Sequence, residues 1–213
     1  MTTVARSAQR PAAAWRLAVK RAIDIVGSSV LLLLSAPVIL LALMAVWMES
    51  GAPVIHRRRV VGRFGRQFDA YKVRTMVPDA DARAVADESL RVAGAASAKV
   101  ALDPRVTAVG RWLRRFSVDE LPQLVNVLRG EMSLVGPRMV TVEELPAWGD
   151  TAALVLTVRP GMTGLWQVSG RQTLSRDDRI RLDGEYVRAM SIMRDLRILV
   201  RTVPAVLGGR GAL

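Results

Sequence analysis

The feature that most constrains this chain is a run of 24 residues without a charge, Ile25 to Met48 (IVGSSVLLLLSAPVILLALMAVWM). As a straight helix it would extend roughly 36 Å, enough to cross a bilayer. It is too long for the apolar region of a secretory signal, and a basic segment follows it in place of a cleavage site. It is apolar on all sides, which disfavours a buried core helix of a soluble protein. Pro37 sits in the middle, where it removes a backbone donor and kinks or breaks a helix. Both flanks are basic: Arg16, Lys20 and Arg21 before the run, Arg57, Arg58, Arg59, Arg63 and Arg66 after it. Positive charge favours the cytoplasmic side. A helix that enters the membrane, bends at Pro37 and leaves by the same face satisfies both flanks. A re-entrant hairpin is therefore the expected form, with a Pro-kinked span as the alternative.

The 213 residues suit one domain plus such a membrane segment. The expected divisions are a loose tail at 1–15, the re-entrant helix at 16–50, one compact interfacial domain at 51–207 and a short tail at 208–213. There is no cysteine, so disulfides and thiolate metal sites are excluded, and the single histidine, His56, excludes a multi-histidine cluster. A hard cation such as Mg²⁺, held by carboxylates and substrate phosphates, stays open. The net charge of +12 calls for an anionic partner: nucleic acid, anionic lipid or a phosphorylated substrate. Arginine supplies nearly all of it, 28 residues against only Lys20, Lys72 and Lys99. Compositional bias accounts for most of that excess, but a lysine kept in such a chain invites a question about its role.

After the apolar run, the fold reads as mostly α with a small β element. Val54-Ile55, Val60-Val61 and Phe68 to Val73 are β-type stretches around turns at Gly62 and Gly65. Pro78 to Lys99 is Ala-rich and polar, a helix or loop without evident chemistry. Val106 to Phe116 reads as a helix with Val109, Trp112, Leu113 and Phe116 on its apolar side. Ser117-Val118-Asp119-Glu120 fits a capping box for a helix that Gly130 ends. Acidic residues in a first turn are ordinary. Here, however, Arg111, Arg114 and Arg115 lie just before the pair, and a Gly136-Pro137-Arg138 turn lies just after the helix. Acid beside base at a helix start suits an anion site that contains its own nucleophile. Thr151 to Val158 is an apolar helix or strand. The Gly/Pro turn Arg159 to Gly164 and the turn at Ser169-Gly170-Arg171 carry a weak phosphate-cradle signal. Ser175 caps a helical stretch to about Val203, which suits a core or a membrane surface.

These residues, in this order, resemble the bacterial sugar transferases, the monotopic polyprenyl-phosphate phosphoglycosyl transferases. The resemblance covers about Lys20 to Val203. It rests on Lys20-Arg21 and Asp24 before the Pro-broken helix, on Tyr71-Lys72-Val73-Arg74-Thr75-Met76, and on Leu113-Arg114-Arg115 through Asp119-Glu120-Leu121-Pro122-Gln123-Leu124. It continues through Asn126 to Arg138 (NVLRGEMSLVGPR), Pro160-Gly161-Met162-Thr163-Gly164 and Gly170-Arg171. It implies a short, single-domain enzyme at the cytoplasmic face of the bacterial inner membrane, using Mg²⁺, a UDP-sugar and a polyprenyl (undecaprenyl) phosphate, and starting exopolysaccharide or glycan assembly. It makes Asp119 the nucleophile and Glu120 its aid through metal or proton transfer, with both as the metal-holding pair. Lys72, Arg114 and Arg138 become phosphate ligands, and Asp183 and Asp195 align more loosely with acidic substrate-site positions. Three departures stand out: Ala36-Pro37 where Ser-Pro is common, Met139 where a second Pro is usual, and His56 in place of an aromatic.

Without the resemblance, an interfacial enzyme acting on phosphorylated substrates explains the apolar run, the basic flanks and the acid pair together. A membrane-tethered basic protein that binds nucleic acid or anionic lipid without catalysis explains only the first two. No nucleic-acid partner is therefore expected. The sugar and the oligomeric state stay open.

Overall fold

The computed structural model describes residues 14–80, 82 and 103–208. Most of the expected tail at 1–15 and of the Pro78–Lys99 stretch lies outside them.

Helix α1 spans Ala14–Ser50, with Pro37 inside it. Ser35, two residues before Pro37, donates its Oγ back to Leu31 O at 2.6 Å, the local bonding by which a serine within a helix can bend it. The helix is exposed in its middle, with Leu33 76% and Leu34 71% accessible. It is fastened near both ends. In its second and third turns, Lys20 Nζ lies 2.6 Å from Asp195 Oδ2. Arg21 donates to the carbonyls of Val127 (2.6 Å) and Leu128 (2.8 Å). Buried Asp24 accepts from Ser133 Oγ and Leu134 N, both at 2.9 Å. Near its C-terminus, Ala42 and Val46 pack with Val73, Leu113 and Val118. Glu49 Oε1 accepts from Val109 N at 3.1 Å, and Ser50 accepts from Arg74.

The hairpin comes next, β1 (Ile55–Val61) antiparallel to β2 (Gln67–Val73), in register from Ile55↔Val73 to Val61↔Gln67. The two short β segments expected at 54–55 and 60–61 are one strand, because the arginines between them sit on a half-exposed edge. Its turn holds Phe64 at φ 58° and Gly65 at φ 76°. Helix α2 (Ala108–Arg115) is capped by Thr107, whose side chain accepts from Gly110 N. A 3₁₀ turn, Val118–Glu120, leads into α3 (Gln123–Arg129), which ends at left-handed Gly130 as expected.

Two short parallel strands, β3 (Ser133–Val135) and β4 (Gly161–Thr163), form the second sheet. They explain the Gly136-Pro137 and Pro160-Gly161 turns. A Cβ on Gly161 would lie 2.1 Å from Gly136 N, and one on Gly136 would lie 2.6 Å from Arg159 O. Gly136 N donates to Thr163 O and Gly161 N to Pro137 O. Those N–H groups therefore join two strands and are not free to cradle a phosphate.

Helix α4 (Asp150–Val155) resolves the ambiguous 151–158 stretch as helix, and α5 (Leu165–Val168) follows β4. The single helix expected after Ser175 is two, α6 (Arg176–Arg188) and α7 (Ile192–Leu207). Ser191 is extended and accepts from Arg194 N, so it caps a new helix instead of continuing the old one. The main core gathers Val60, Phe68, Leu124, Met132, Val135 and Tyr186. Asn126, fully buried, stitches α3 to β2. Its Oδ1 accepts from Tyr71 N, and its Nδ2 donates to Asp69 O and Glu131 Oε2.

Candidate active site

One cavity of about 970 Å³ runs between β2, the turn before α3, the loop after β3 and α5. Lys72, Arg114, Asp119, Glu120 and Arg138 all line it, with Trp166 and Arg171. Five residues expected at the site from sequence therefore converge, although they come from four separate segments.

The acid pair sits differently from the expected capping box. Ser117 is left-handed (φ 55°, ψ 24°) and its side chain caps nothing. Bent backbone at Ser117 and the tight 3₁₀ turn turn the two carboxylates toward β2. Lys72 Nζ lies 2.6 Å from Glu120 Oε1 and 4.0 Å from Asp119 Oδ2. Asp119 is only 7% exposed. Burial pushes its carboxyl up to about 6, against the pull of Lys72 and Arg114, and the neighbouring charge of Glu120 adds to the rise. Glu120 goes the other way. Burial raises it, but Lys72, Arg138 and Arg171 outweigh burial and hold it below the usual carboxylate range. Two adjacent carboxylates thus differ: Glu120 is paired and ionised, and Asp119 is close to titrating at neutral pH.

Arg114 reaches the site from α2, its Nε donating to Thr75 Oγ1 at 2.8 Å. Gly110 in the same helix lets α2 approach the segment that follows β2, since a Cβ there would lie 2.1 Å from Thr75 O. Arg138 lies over the face of Trp166 at 5.7 Å, and Arg179 stacks on the same ring at 5.3 Å. Arg138 Nη2 is 3.9 Å from Glu144 Oε1, which Arg58 also engages at 3.1 Å.

Asp183 does not line the cavity. It is fully buried behind it, with Oδ2 accepting from Arg138 N at 3.0 Å. Burial raises its carboxyl to about 7, against the backbone N–H and charge of Arg138. Asp195 lies farther off, locked between Lys20 and Tyr186 Oη (2.7 Å) where α1 meets the domain. It thus anchors a helix and does not face the cavity. The sequence reading missed Trp166, Thr75 and Arg74 as cavity residues. Arg74-Thr75 follow Lys72 within one motif, which was the available signal; Trp166 carried none.

Among the described residues, no group of three or more His, Cys, Asp or Glu could hold a metal. Asp119 and Glu120 are acids on the cavity wall, and such a pair suits Mg²⁺, which is usually held by one or two carboxylates together with substrate phosphates and water.

Residues 15–209 match the family model described as bacterial sugar transferase. The chain belongs to the bacterial sugar transferase family. This sugar transferase is 43% identical over 199 residues to exopolysaccharide production protein ExoY of Rhizobium meliloti, covering 91% of this chain and 87% of that protein. It is 41% identical over 197 residues to the undecaprenyl-phosphate galactose phosphotransferase of Salmonella typhimurium, covering 91% of this chain and 41% of that protein. To the undecaprenyl-phosphate glucose phosphotransferase of Komagataeibacter xylinus it is 38% identical over 216 residues, covering 96% of this chain and 38% of that protein. It therefore spans less than half of the last two. Their likeness makes the sugar transferase an enzyme and displaces the reading as a basic protein without catalysis. Among the described residues one helix is long and apolar enough to cross a membrane, which is consistent with membrane association.

Proposed function

We propose that this sugar transferase moves a sugar-phosphate from a UDP-sugar to undecaprenyl phosphate by way of an aspartyl intermediate on Asp119, and so starts exopolysaccharide or glycan assembly. One observation carries the reading: a buried carboxylate, poised near neutral pH, in a cavity walled by Lys72, Arg114, Arg138 and Arg171. Phosphoryl transfer needs positioned charge on the non-bridging oxygens more than it needs covalent machinery.

In the first half-reaction, a carboxylate oxygen of Asp119 attacks the sugar-bearing phosphorus. The phosphoanhydride bond to UMP breaks, and UMP leaves with that electron pair. The sugar-phosphate is then held as an acyl phosphate. In the second, an oxygen of the lipid phosphate attacks the same phosphorus, the bond to Asp119 breaks, and the carboxylate is restored. Lys72, Arg114 and Arg138 offset the charge that builds on the phosphoryl oxygens. Glu120 and Asp119 would hold Mg²⁺ beside the donor phosphates, where the ion supplies further charge neutralisation. Lys72, now on Glu120, would turn toward the substrate when it binds.

The reading places the enzyme on the cytoplasmic face of the inner membrane, with α1 re-entrant. Support comes from the two ends of α1. Charged or polar residues near both ends, Lys20, Arg21 and Asp24 at one and Glu49 and Ser50 at the other, are tied to the same body. A straight span would carry those ends to opposite faces of the bilayer.

The test is UMP release from a panel of UDP-sugars with Mg²⁺ and undecaprenyl phosphate in detergent or nanodiscs. The panel also identifies the sugar. Asp119→Asn is expected to lose activity by about a thousandfold or more, as for removal of a nucleophile. Undiminished release in that variant would sink the assignment.

A further inference from the structure

The cavity is lined by two unlike groups of residues. Arg138, Arg171 and Gln167 are charged or polar and stand with the Trp166 ring. Pro53, Val54, Met76 and Pro78 are apolar and flank Arg74 in the chain, although His56, Arg57 and Arg58 line the cavity too. Asp119 also lines it. The charges around it divide along the same line, with Arg114 acting on Asp119, and Arg138 and Arg171 on Glu120.

Arg74 is unusual. It is 6% exposed. Its Nη2 donates to Ser50 O (3.0 Å), Ser50 Oγ (2.7 Å) and Gly51 O (2.8 Å), closing the C-terminal end of α1. Its Nε and Nη1 are buried without a partner, and no carboxylate pairs with it among the described residues. Unpaired donors on a buried cation are costly, and an arriving anion would relieve that cost. The position fits one anion in particular. Pro53 and Val54 follow α1 directly, and the last turns of α1 expose Met44, Trp47 and Met48. Trp112, on the neighbouring α2, is exposed too. Exposed tryptophans beside an apolar surface mark the level of lipid headgroups.

We propose that Arg74, with the wall of Pro53, Val54, Met76 and Pro78, is the acceptor half-site, which takes a phosphate monoester whose hydrocarbon chain runs out along the C-terminal turns of α1. The inference rests on the two-step reading given above. In-line displacement requires the incoming oxygen to take the place that UMP vacates. The two phosphates therefore share ground, and the groups they carry must diverge. Uridine lies toward Arg138, Arg171 and Trp166. The prenyl chain lies toward Arg74 and α1, so the buried guanidinium meets the lipid phosphate on its ester side. In the step itself, an oxygen of the dianionic lipid phosphate bonds to the phosphorus of the intermediate. The phosphorus–Asp119 oxygen bond breaks, and the products are the lipid diphosphosugar and the free carboxylate.

The experiment separates the half-reactions. Full-length protein in phosphatidylglycerol nanodiscs is charged with UDP-sugar and Mg²⁺ alone, and the UMP burst counts active molecules, so misfolded protein drops out of the comparison. Undecaprenyl phosphate is then added and discharge is timed. Arg74→Met is expected to slow discharge about tenfold more than charging, the effect of one lost charge-assisted hydrogen bond. Val54→Asp, which leaves the Arg74 contacts in place, is expected to do the same by putting charge in the path of the chain. Equal slowing of both steps, or discharge at the wild-type rate in both variants, would overturn the half-site. So would loss of binding to nanodiscs lacking undecaprenyl phosphate with discharge intact, which would make Arg74 a contact for ordinary headgroups. Absence of a burst in the wild type with multiple turnover intact would instead strike the covalent reading beneath it.

Discussion

At the scale of single residues, the account turns on two acids held at different protonation. On the proposed mechanism Asp119 must be ionised to attack. With its carboxyl raised to about 6 by burial, donor-side kcat/KM should rise with pH and level off above that value. Lys72 pulls the Asp119 carboxyl down. Lys72→Met should therefore move the rising limb to higher pH and lower the plateau, and a limb that stays in place would show that Lys72 does not tune Asp119. Asp183 makes a stability prediction. Its folded value is raised to about 7 from 3.8, so the fold favours its protonated form. Its contribution is full below 3.8 and is lost as pH rises through about 7. Asp183→Asn cannot ionise, yet it can still accept from Arg138 N. Denaturation midpoints should thus fall less steeply with pH across that window than in the wild type, and an unchanged slope would contradict the buried-acid account. Sequence made Asp119, Glu120, Lys72, Arg114 and Arg138 legible because each stands in a distinctive motif. The left-handed backbone at Ser117 was not legible, because serine at a helix start ordinarily caps it.

At the scale of elements, periodicity and turn residues located the hairpin, α2 and the Gly130 stop. What they missed depends on partners distant in sequence. The break between α6 and α7 is a cap at Ser191 within an otherwise helical pattern. The Arg159 to Gly164 turn carried a weak phosphate-cradle signal, but Gly161 and the facing Gly136 are glycines because two strands meet there with no room for a Cβ. The long apolar helix was visible from composition alone, whereas its two anchorages were not, since Lys20 and Asp195 are 175 residues apart. On the re-entrant reading proposed above, those anchorages keep both ends of α1 in the same compartment. Single cysteines at Ile25 and Met48, in a chain that has none of its own, test this. A re-entrant helix predicts that both flanks react with an impermeant thiol reagent from the same side of sealed vesicles. Reaction from opposite sides would make α1 a span.

At the scale of the whole molecule, α1 organises the cavity. Its early turns hold β3 through Asp24 and the end of α3 through Arg21, and its last turn holds Arg74. The strand held by Asp24 leads directly into Arg138, and α3 follows directly from the acid pair. On the proposed reading the cavity sits where a lipid phosphate and a soluble nucleotide can both reach it, and the +12 charge suits a surface that meets anionic headgroups and phosphorylated substrates. The central claim is that Asp119 carries the sugar-phosphate between donor and acceptor. The direct measurement is intact-protein mass after brief incubation with the cognate UDP-sugar and Mg²⁺ and no lipid acceptor. The account predicts an added sugar-phosphate on a peptide containing Asp119, absent from Asp119→Asn and discharged when undecaprenyl phosphate is supplied. A wild-type protein that turns over both substrates while never gaining that mass, with UMP released only when the acceptor is present, would contradict it.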